Sequence, residues 1–348
     1  MTTSSGVIDS TYCLTNLSSI LACNVQIKSF HDEDVKKECL KVDGVGDLRA
    51  LEVAPDGAVW IGGTEGKIAK SINNGRHWNV YSPSNANDLD FRAICALDSK
   101  VICCMSAGDS KEGLSRVYRS IDGGEKWSLV LCPQESGFFF NAMKFWDEKN
   151  GIILADPIDG RFAFFTTSDG GKNWNRLIPK TMPFAFNNEA AFAASNSCLA
   201  VYGSEHVWFC TGRGDFARVF YSSDNGKNWD VSTTSMSVKS SSSGLFSMAF
   251  KNEDVGVAVG GDYKSKPPFD LSLTNAFLTS NGGKTWDPLK LESSSKSLTG
   301  HYLSSVAWDK DGKIYVIDGS KEEYNSLIIS DRKGWAVGPN QQFAMFET

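Results

Sequence analysis

Short runs in which apolar and polar residues alternate recur along this chain, each bounded by Gly, Asn, Asp or Ser. DLRALEVA with AVWIGG, DFRAICAL with VICCMS, FFNAMKFW with GIILAD, EAAFAAS with VWFCTG, GLFSMAF with VGVAVGG, and LSSVAW with KIYVID are successive pairs of such runs. Alternation with a period of two predicts β-strands. After most pairs comes a third run, such as RVYRS, RVFYS or NAFLT, then a polar turn and a fourth run such as WSLVLC. Each unit thus predicts four strands in about 45–55 residues, the size of one propeller blade.

The polar turn is itself repeated. SINNGRHW (71–78), SIDGGEKW (120–127), TSDGGKNW (167–174), SSDNGKNW (222–229) and TSNGGKTW (279–286) share a hydroxyl, an acid or amide, a Gly and a Trp in fixed spacing. The carboxylate or amide can accept backbone N–H groups within the loop, the Gly supplies positive φ, and the Trp returns into the sheet as an apolar anchor. Asn73, Asp122, Asp169, Asp224 and Asn281 are therefore expected to be structural rather than catalytic or calcium-binding.

The predicted fold is a single all-β propeller of six or seven four-stranded blades. SLIISDRKGW (326–335) reads as a shortened sixth turn. GWAVGPNQQFAMF, however, matches the first unit's VWIGGTEGKIAKS hairpin, as though a seventh blade began there. Either way the last blade needs a strand from elsewhere, and NVQIKSF (24–30) can supply it and close the ring. Residues 1–23 are then a flexible N-terminal segment, 24–348 the propeller with blades from about 45, and DEDVKKECLKVDG a charged connector. SVKSSSSG (237–244) and LESSSKS (291–297) read as mobile loops between blades.

Composition adds limits. A chain of 348 residues that is 41% hydrophobic, with 32 Gly, 10 Trp and 21 Phe, has the material for a large core with many tight turns. Its net charge of −6 argues against an electrostatic grip on nucleic acid or an anionic membrane surface. The nine cysteines lack zinc-site spacing, and Cys103-Cys104 falls in an apolar run that predicts buried free thiols. The four histidines are scattered, and GGTEGK and GDSKEG precede strand patterns rather than helices. No metal centre, serine triad or dinucleotide loop is expected, and no cofactor. The start lacks a basic region followed by an unbroken apolar stretch, so neither a signal peptide nor a membrane span is expected and cytoplasmic residence is the default. A secreted chain whose leader had been removed would read the same, and Asn16-Leu17-Ser18 is a glycosylation sequon.

The S/T-x-D-x-G-x-x-W turn resembles the hallmark of the BNR/Asp-box repeat β-propellers. The spacing of LRAL, FRAI and the terminal GWAVGPNQQFAMF most resembles the photosystem II stability/assembly-factor-like group, over roughly residues 45–345. The resemblance implies a propeller. It leaves activity open, because Asp-box propellers include sialidases and other glycosidases, sorting receptors and assembly chaperones.

In such a blade the repeated turn marks one face of the disc, and a ligand would meet the other. The starts of the first strands place Arg49, Arg92, Asn141 and Glu189 there, and the loops after the second strands place Asp109, Asp156, Arg213, Asp262 and Tyr263. Arg49 and Arg92 occupy equivalent positions and can jointly hold a carboxylate or phosphate. Glu189, Asp156 and Asp262 are the candidate acids or bases, and burial at the start of EAAFAAS would raise Glu189 toward a useful range. An alternative is that these charges neutralise one another in a network that plugs the channel.

Two functions fit. One is a pocket for a small anionic or carbohydrate-like ligand, with glycosidase-like hydrolysis slightly favoured. A true sialidase is disfavoured, because no Arg-Ile-Pro motif occurs and an arginine in a late blade is missing. The other is a non-enzymatic scaffold or assembly factor that grips a protein through aromatic loops such as SGFFFN (136–141) and MPFAFNN (182–188).

Overall fold

In a computed structural model of the protein, residues 26–348 are described except 136, 292–296 and 322. The expected segment 1–23 and the Asn16 sequon lie outside them. The described residues form strands and two short 3-10 turns, and the strands make seven sheets. Each inner strand packs on the next blade's inner strand, and the seventh packs on the first. The protein is a seven-bladed, all-β propeller.

Blades 1 to 5 follow the predicted four-strand plan. In order from the inside they are Leu48–Val53, Val59–Gly63, Ile68–Ser71 and Asn79–Tyr81; Asp90–Ala96, Ile102–Ala107, Val117–Ser120 and Ser128–Leu131; Phe140–Phe145, Gly151–Ile158, Arg161–Thr167 and Asn175–Leu177; Leu199–Tyr202, His206–Cys210, Phe216–Ser222 and Asp230–Ser237; and Ser243–Phe250, Gly256–Asp262, Ala276–Thr279 and Asp287–Pro288.

The last two blades resolve the ambiguity in the sequence. Blade 6 has two strands of its own, Leu303–Trp308 and Ile314–Asp318, and takes Ile27–Ser29 as a third, parallel strand. Blade 7 runs Ser326–Ser330, Lys333–Val337 and Gln342–Glu347, so SLIIS is an inner strand and not a repeated turn. Its fourth strand is Lys37–Lys41, antiparallel to Gln342–Glu347. The segment read as a charged connector thus closes the ring, and from the expected closing stretch 24–30, of which residues 24 and 25 lie outside the described residues, Ile27–Ser29 serves blade 6 instead. KECLK alternates weakly because it lies on an outer edge. Leu40 turns into the core with Phe343 and Val337, Lys37 donates to Phe30 O at 3.1 Å, and the exposed Lys41 discourages further strand pairing.

EAAFAAS is not a strand beyond Ala190, which makes an isolated bridge to Gly212; blade 4's inner strand begins at Leu199. The serine-rich 240–243 stretch turns directly into a strand. Ser243 N donates to Ser240 O at 3.2 Å, and Ser243 opens blade 5's inner strand.

The five repeated turns share one hydrogen-bond set. Thr167 Oγ1 donates to Asp169 Oδ1 at 2.9 Å and accepts from Gly171 N at 3.0 Å, while Asp169 Oδ1 accepts from Asn173 N at 2.9 Å. Ser71 with Asn73, Ser120 with Asp122, Ser222 with Asp224 and Thr279 with Asn281 repeat it. The Asn173 N–H does most to lower the Asp169 carboxyl, which falls to about 2.

The turn also sets how blades meet. A Cβ on Gly124 would lie 2.7 Å from the Trp60 ring of blade 1, one on Gly171 2.6 Å from Cys103 of blade 2, and one on Gly283 3.0 Å from Trp208 of blade 4. Gly75 closes the ring, with the Phe343 ring of blade 7 seated on it. Gly124→Ala combines a left-handed backbone (φ +100°) with that collision, at a cost of about 2–5 kcal/mol. Gly57→Ala, also at positive φ (+82°) but with nothing within 4 Å, should cost only about 1–2 kcal/mol. Urea denaturation of the two variants separates packing from backbone strain.

Candidate functional site

Blade 4 interrupts its own inner strand. Ala190 and Gly212 exchange backbone hydrogen bonds of 3.1 and 3.0 Å, and pairing resumes where Cys210 N donates to Cys198 O at 2.9 Å. Residues 191–197 loop out between these points. Arg92 Nη1 of blade 2 donates to Ala193 O at 2.7 Å, Met143 N of blade 3 to Asn196 Oδ1 at 2.8 Å, and Met248 N of blade 5 to Ser197 O at 2.8 Å. Ser326 Oγ of blade 7 donates to Ser195 O at 3.4 Å, and Phe192 stacks on Phe246 with centroids 4.1 Å apart. The loop therefore plugs the central channel and leaves a chamber on either side. Small residues in AASNS let the chain cross this narrow space, and their lack of alternation fits the absence of a strand.

The upper chamber, about 420 Å³, is lined by Arg49, Arg92, Phe192, Phe246, Tyr263 and Tyr302 among others. The two arginines flank a carboxylate that belongs to the protein. Arg92 Nε donates to Asp90 Oδ2 at 2.8 Å and its Nη2 lies 2.7 Å from the same oxygen, while Arg49 Nε lies 3.8 Å from Asp90 Oδ1. Arg49 Nη2 reaches Asp47 at 3.4 Å. Burial raises the Tyr302 hydroxyl, so it stays protonated, and the Tyr263 and Tyr302 rings meet edge-on with centroids 6.3 Å apart.

Beside this chamber a hollow of about 730 Å³ is lined by Asp156, Phe186, Asn187, Asn188, Glu189, Arg213 and others. Glu189 is wholly engaged: Oε1 accepts from Thr211 Oγ1 at 2.6 Å and from Arg218 Nε at 3.0 Å, while Oε2 accepts from Phe186 N at 2.7 Å and from Arg218 Nη2. A carboxylate has about four acceptor positions, and these contacts take them. Arg218 lies between the Phe186 and Phe220 rings, 3.9 and 4.8 Å from their centroids. The strand FARVFYS carries Arg218 at an otherwise buried position, an isolated charge in an apolar run that marks a partner elsewhere. It and Thr211 were not picked out by sequence reasoning.

Asp156 is in a different state. Its Oδ1 accepts from Asn141 Nδ2 at 2.8 Å and from Ala191 N at 3.2 Å. Burial outweighs these bonds and the nearby Arg213 charge, lifting the carboxyl to about 6. Asn141 is fully buried and its Oδ1 has no hydrogen-bond partner. Arg213 is exposed, at positive φ (+64°), with Nε on Ser241 O at 3.1 Å.

The remaining candidates sit apart from this hollow. Asp262 lines a smaller cavity of about 220 Å³, accepting from Ser240 Oγ at 2.7 Å and Lys264 N at 2.9 Å. Burial works to raise its carboxyl, and the bonds from Ser242, Lys264 N and Ser240 together bring it below its ordinary value. Asp109 caps a short 3-10 turn, accepting from Lys111 N at 2.8 Å. The structure brings Arg49, Arg92 and Tyr263 into one chamber and Asp156, Asn141, Glu189 and Arg213 into its neighbourhood, on the face away from the repeated turns. Among the described residues no group of three or more His, Cys, Asp or Glu is placed to hold a metal ion, and no helix is long and apolar enough to cross a membrane. Cys103 and Cys104 are buried and free.

Solved structures with the same architecture are distant in sequence. Virginiamycin B lyase from Staphylococcus aureus is 9% identical, with 90% of this chain and 99% of that one covered and a TM-score of 0.62. U3-55K is 13% identical, with 91% and 99% covered and a TM-score of 0.58. YCF48 bound to a D1 peptide is 13% identical, with 93% and 98% covered, at a TM-score of 0.45. The likeness is one of fold. No protein-family model and no curated protein matches the chain.

A raised carboxyl gives a signed prediction. Ionising Asp156 opposes folding, so its effect is absent below about pH 4 and grows as pH rises through 6. Asp156→Asn should gain up to about 3 kcal/mol over wild type at pH 8 and nothing at pH 4, by urea denaturation. Glu189→Gln should lose about 3–5 kcal/mol at pH 7, because it strands a buried guanidinium.

Proposed function

We propose that this protein is a binding propeller of the Asp-box, assembly-factor-like kind, and that its upper face takes an acidic peptide segment rather than hydrolysing a glycoside. The observation that carries this reading is the engagement of the candidate carboxylates. Glu189 has all its acceptor positions occupied by Arg218, Thr211 and Phe186 N, and Asp262 is held by Ser240 and Lys264. Glycosidic cleavage needs two carboxyl groups cooperating across one bond, and Asp156 stands without a second free one beside it.

What the hollow offers is recognition chemistry. Arg213 supplies an exposed cation at the rim, Asn187 and Asn188 supply amides, and the protonatable Asp156 supplies a group that donates or accepts according to pH. The loop MPFAFNN forms one wall, and Phe184 on it is 61% exposed beneath the Arg161 guanidinium at 3.9 Å. An accessible aromatic beside a cationic rim is a common anchor for a protein segment.

A peptide array graded in Asp and Glu content tests the proposal. Acidic peptides should bind the wild type, and Arg213→Glu should weaken them ten-fold or more. Turnover of any member of a glycoside panel that Asp156→Asn abolishes would overturn it.

A further inference from the structure

The channel below the plug forms a second chamber, remote from the upper face. The strand registers define one residue per blade at its level: Glu52 opposite Trp60, Cys95 opposite Cys103, Lys144 opposite Ile152, Ala200 opposite Trp208, Ala249 opposite Val257, Ala307 opposite Tyr315 and Ile328 opposite Trp335. Six of these seven line a cavity of about 390 Å³, roofed by Ser197 of the plug. The layer is asymmetric. Blades 1 and 3 carry opposite charges on either side of Cys95, while blades 4, 5 and 7 contribute two alanines and an isoleucine.

Glu52 and Lys144 act on each other through space without a hydrogen bond or ion pair. Burial raises the Glu52 carboxyl to about 7, only partly opposed by Lys144. The remaining neighbours that face it do not titrate near neutrality. Burial holds the Cys95 thiol well above its ordinary value, with Sγ on Met143 O at 3.3 Å; blades 4, 5 and 7 present only apolar side chains, and the plug a serine. Below pH 7 the chamber thus offers a lysine ammonium and a carboxylic O–H on one side and an apolar wall, with Met248 behind it, on the other. Two donors match the two oxygens of a carboxylate. A single cation leaves a dianion half-compensated, and the ammonium disfavours a cationic guest.

We propose that this lower chamber is a binding site for a small monocarboxylate with a short apolar tail, its carboxylate held between Lys144 and Glu52 and its tail against Ala200, Ala249 and Ile328. The site is independent of the upper face, and nothing in the acidic-peptide reading bears on it.

The test uses 4-methylpentanoate at pH 6, followed by NMR of [¹³C-methyl]-methionine protein with Met248 as the reporter. Saturable shifts are expected, weakened at least ten-fold in Lys144→Met and lost in Ala249→Phe, which fills the chamber. Wild-type affinity should fall as pH rises from 6 to 8 and Glu52 ionises, and Glu52→Gln should flatten that fall. No saturable shift at millimolar ligand, equal affinity in Lys144→Met, or preference for leucine, which adds only an ammonium group, would overturn the proposal. Thermal unfolding of each variant confirms that the fold is retained. If Lys144→Met fails to fold, Ala249→Phe and the leucine comparison still decide.

Discussion

The contact between a side chain of one blade and the second glycine of the next blade's turn is the constraint on which the ring depends. Trp60 on Gly124, Cys103 on Gly171, Trp208 on Gly283 and Phe343 on Gly75 are the same contact made around the disc. A residue with a Cβ at those positions would push adjacent blades apart, and small errors accumulated around the ring would prevent closure. The hydroxyl–acid–glycine turn is thus kept for two reasons at once. Its hydrogen bonds hold the loop shape, and that shape presents a bare backbone to a large neighbour. Large side chains such as Trp60 and Trp208, wholly or almost wholly buried, then supply apolar area that local strand pairing alone cannot.

Closure has a second requirement. Blade 6 contributes only two of its own strands, and blade 7 has three. The chain before blade 1 fills both gaps, in parallel at Ile27–Ser29 and antiparallel at Lys37–Lys41. The start and end of the propeller are tied by backbone hydrogen bonds, so opening the ring requires breaking a ladder as well as an interface. The plug stiffens the same ring from within, since residues 193–197 hold hydrogen bonds to the inner strands of four other blades.

Local rules made much of this architecture legible. The turn repeats with strand alternation led to the propeller and to the face opposite the turns, because both signals are short-range and periodic. Where the sequence misled, a long-range contact had displaced a local preference. KECLK looks like a connector because an outer edge strand needs only one apolar residue, and EAAFAAS looks like a strand although hydrogen bonds from blades 2 and 7 to its second half, and from blades 3 and 5 to Asn196 and Ser197 just after it, draw the chain into the channel. Arg49 and Arg92 line one chamber, but the carboxylate between them, Asp90, precedes Arg92 by two residues and carries no spacing that marks it as their partner. Glu189 suffered the reverse error. Its partner Arg218 lies 29 residues away, beyond any spacing rule.

Glu189 and Asp156 line the same hollow, yet their environments assign them opposite roles. Glu189 meets a guanidinium sandwiched by aromatic rings, and that low-dielectric pairing fixes both charges as part of the scaffold. Asp156 meets an amide and a backbone N–H, which satisfy hydrogen bonding without neutralising charge, so burial raises its carboxyl toward neutrality. A carboxyl raised to about 6 can change protonation when a ligand enters. An acidic segment approaching Arg213 would favour the protonated Asp156, because a neutral carboxyl can donate where an ionised one would repel. Binding at the upper face would then take up a proton, and the ion pair beneath would keep the hollow's shape while that exchange occurs.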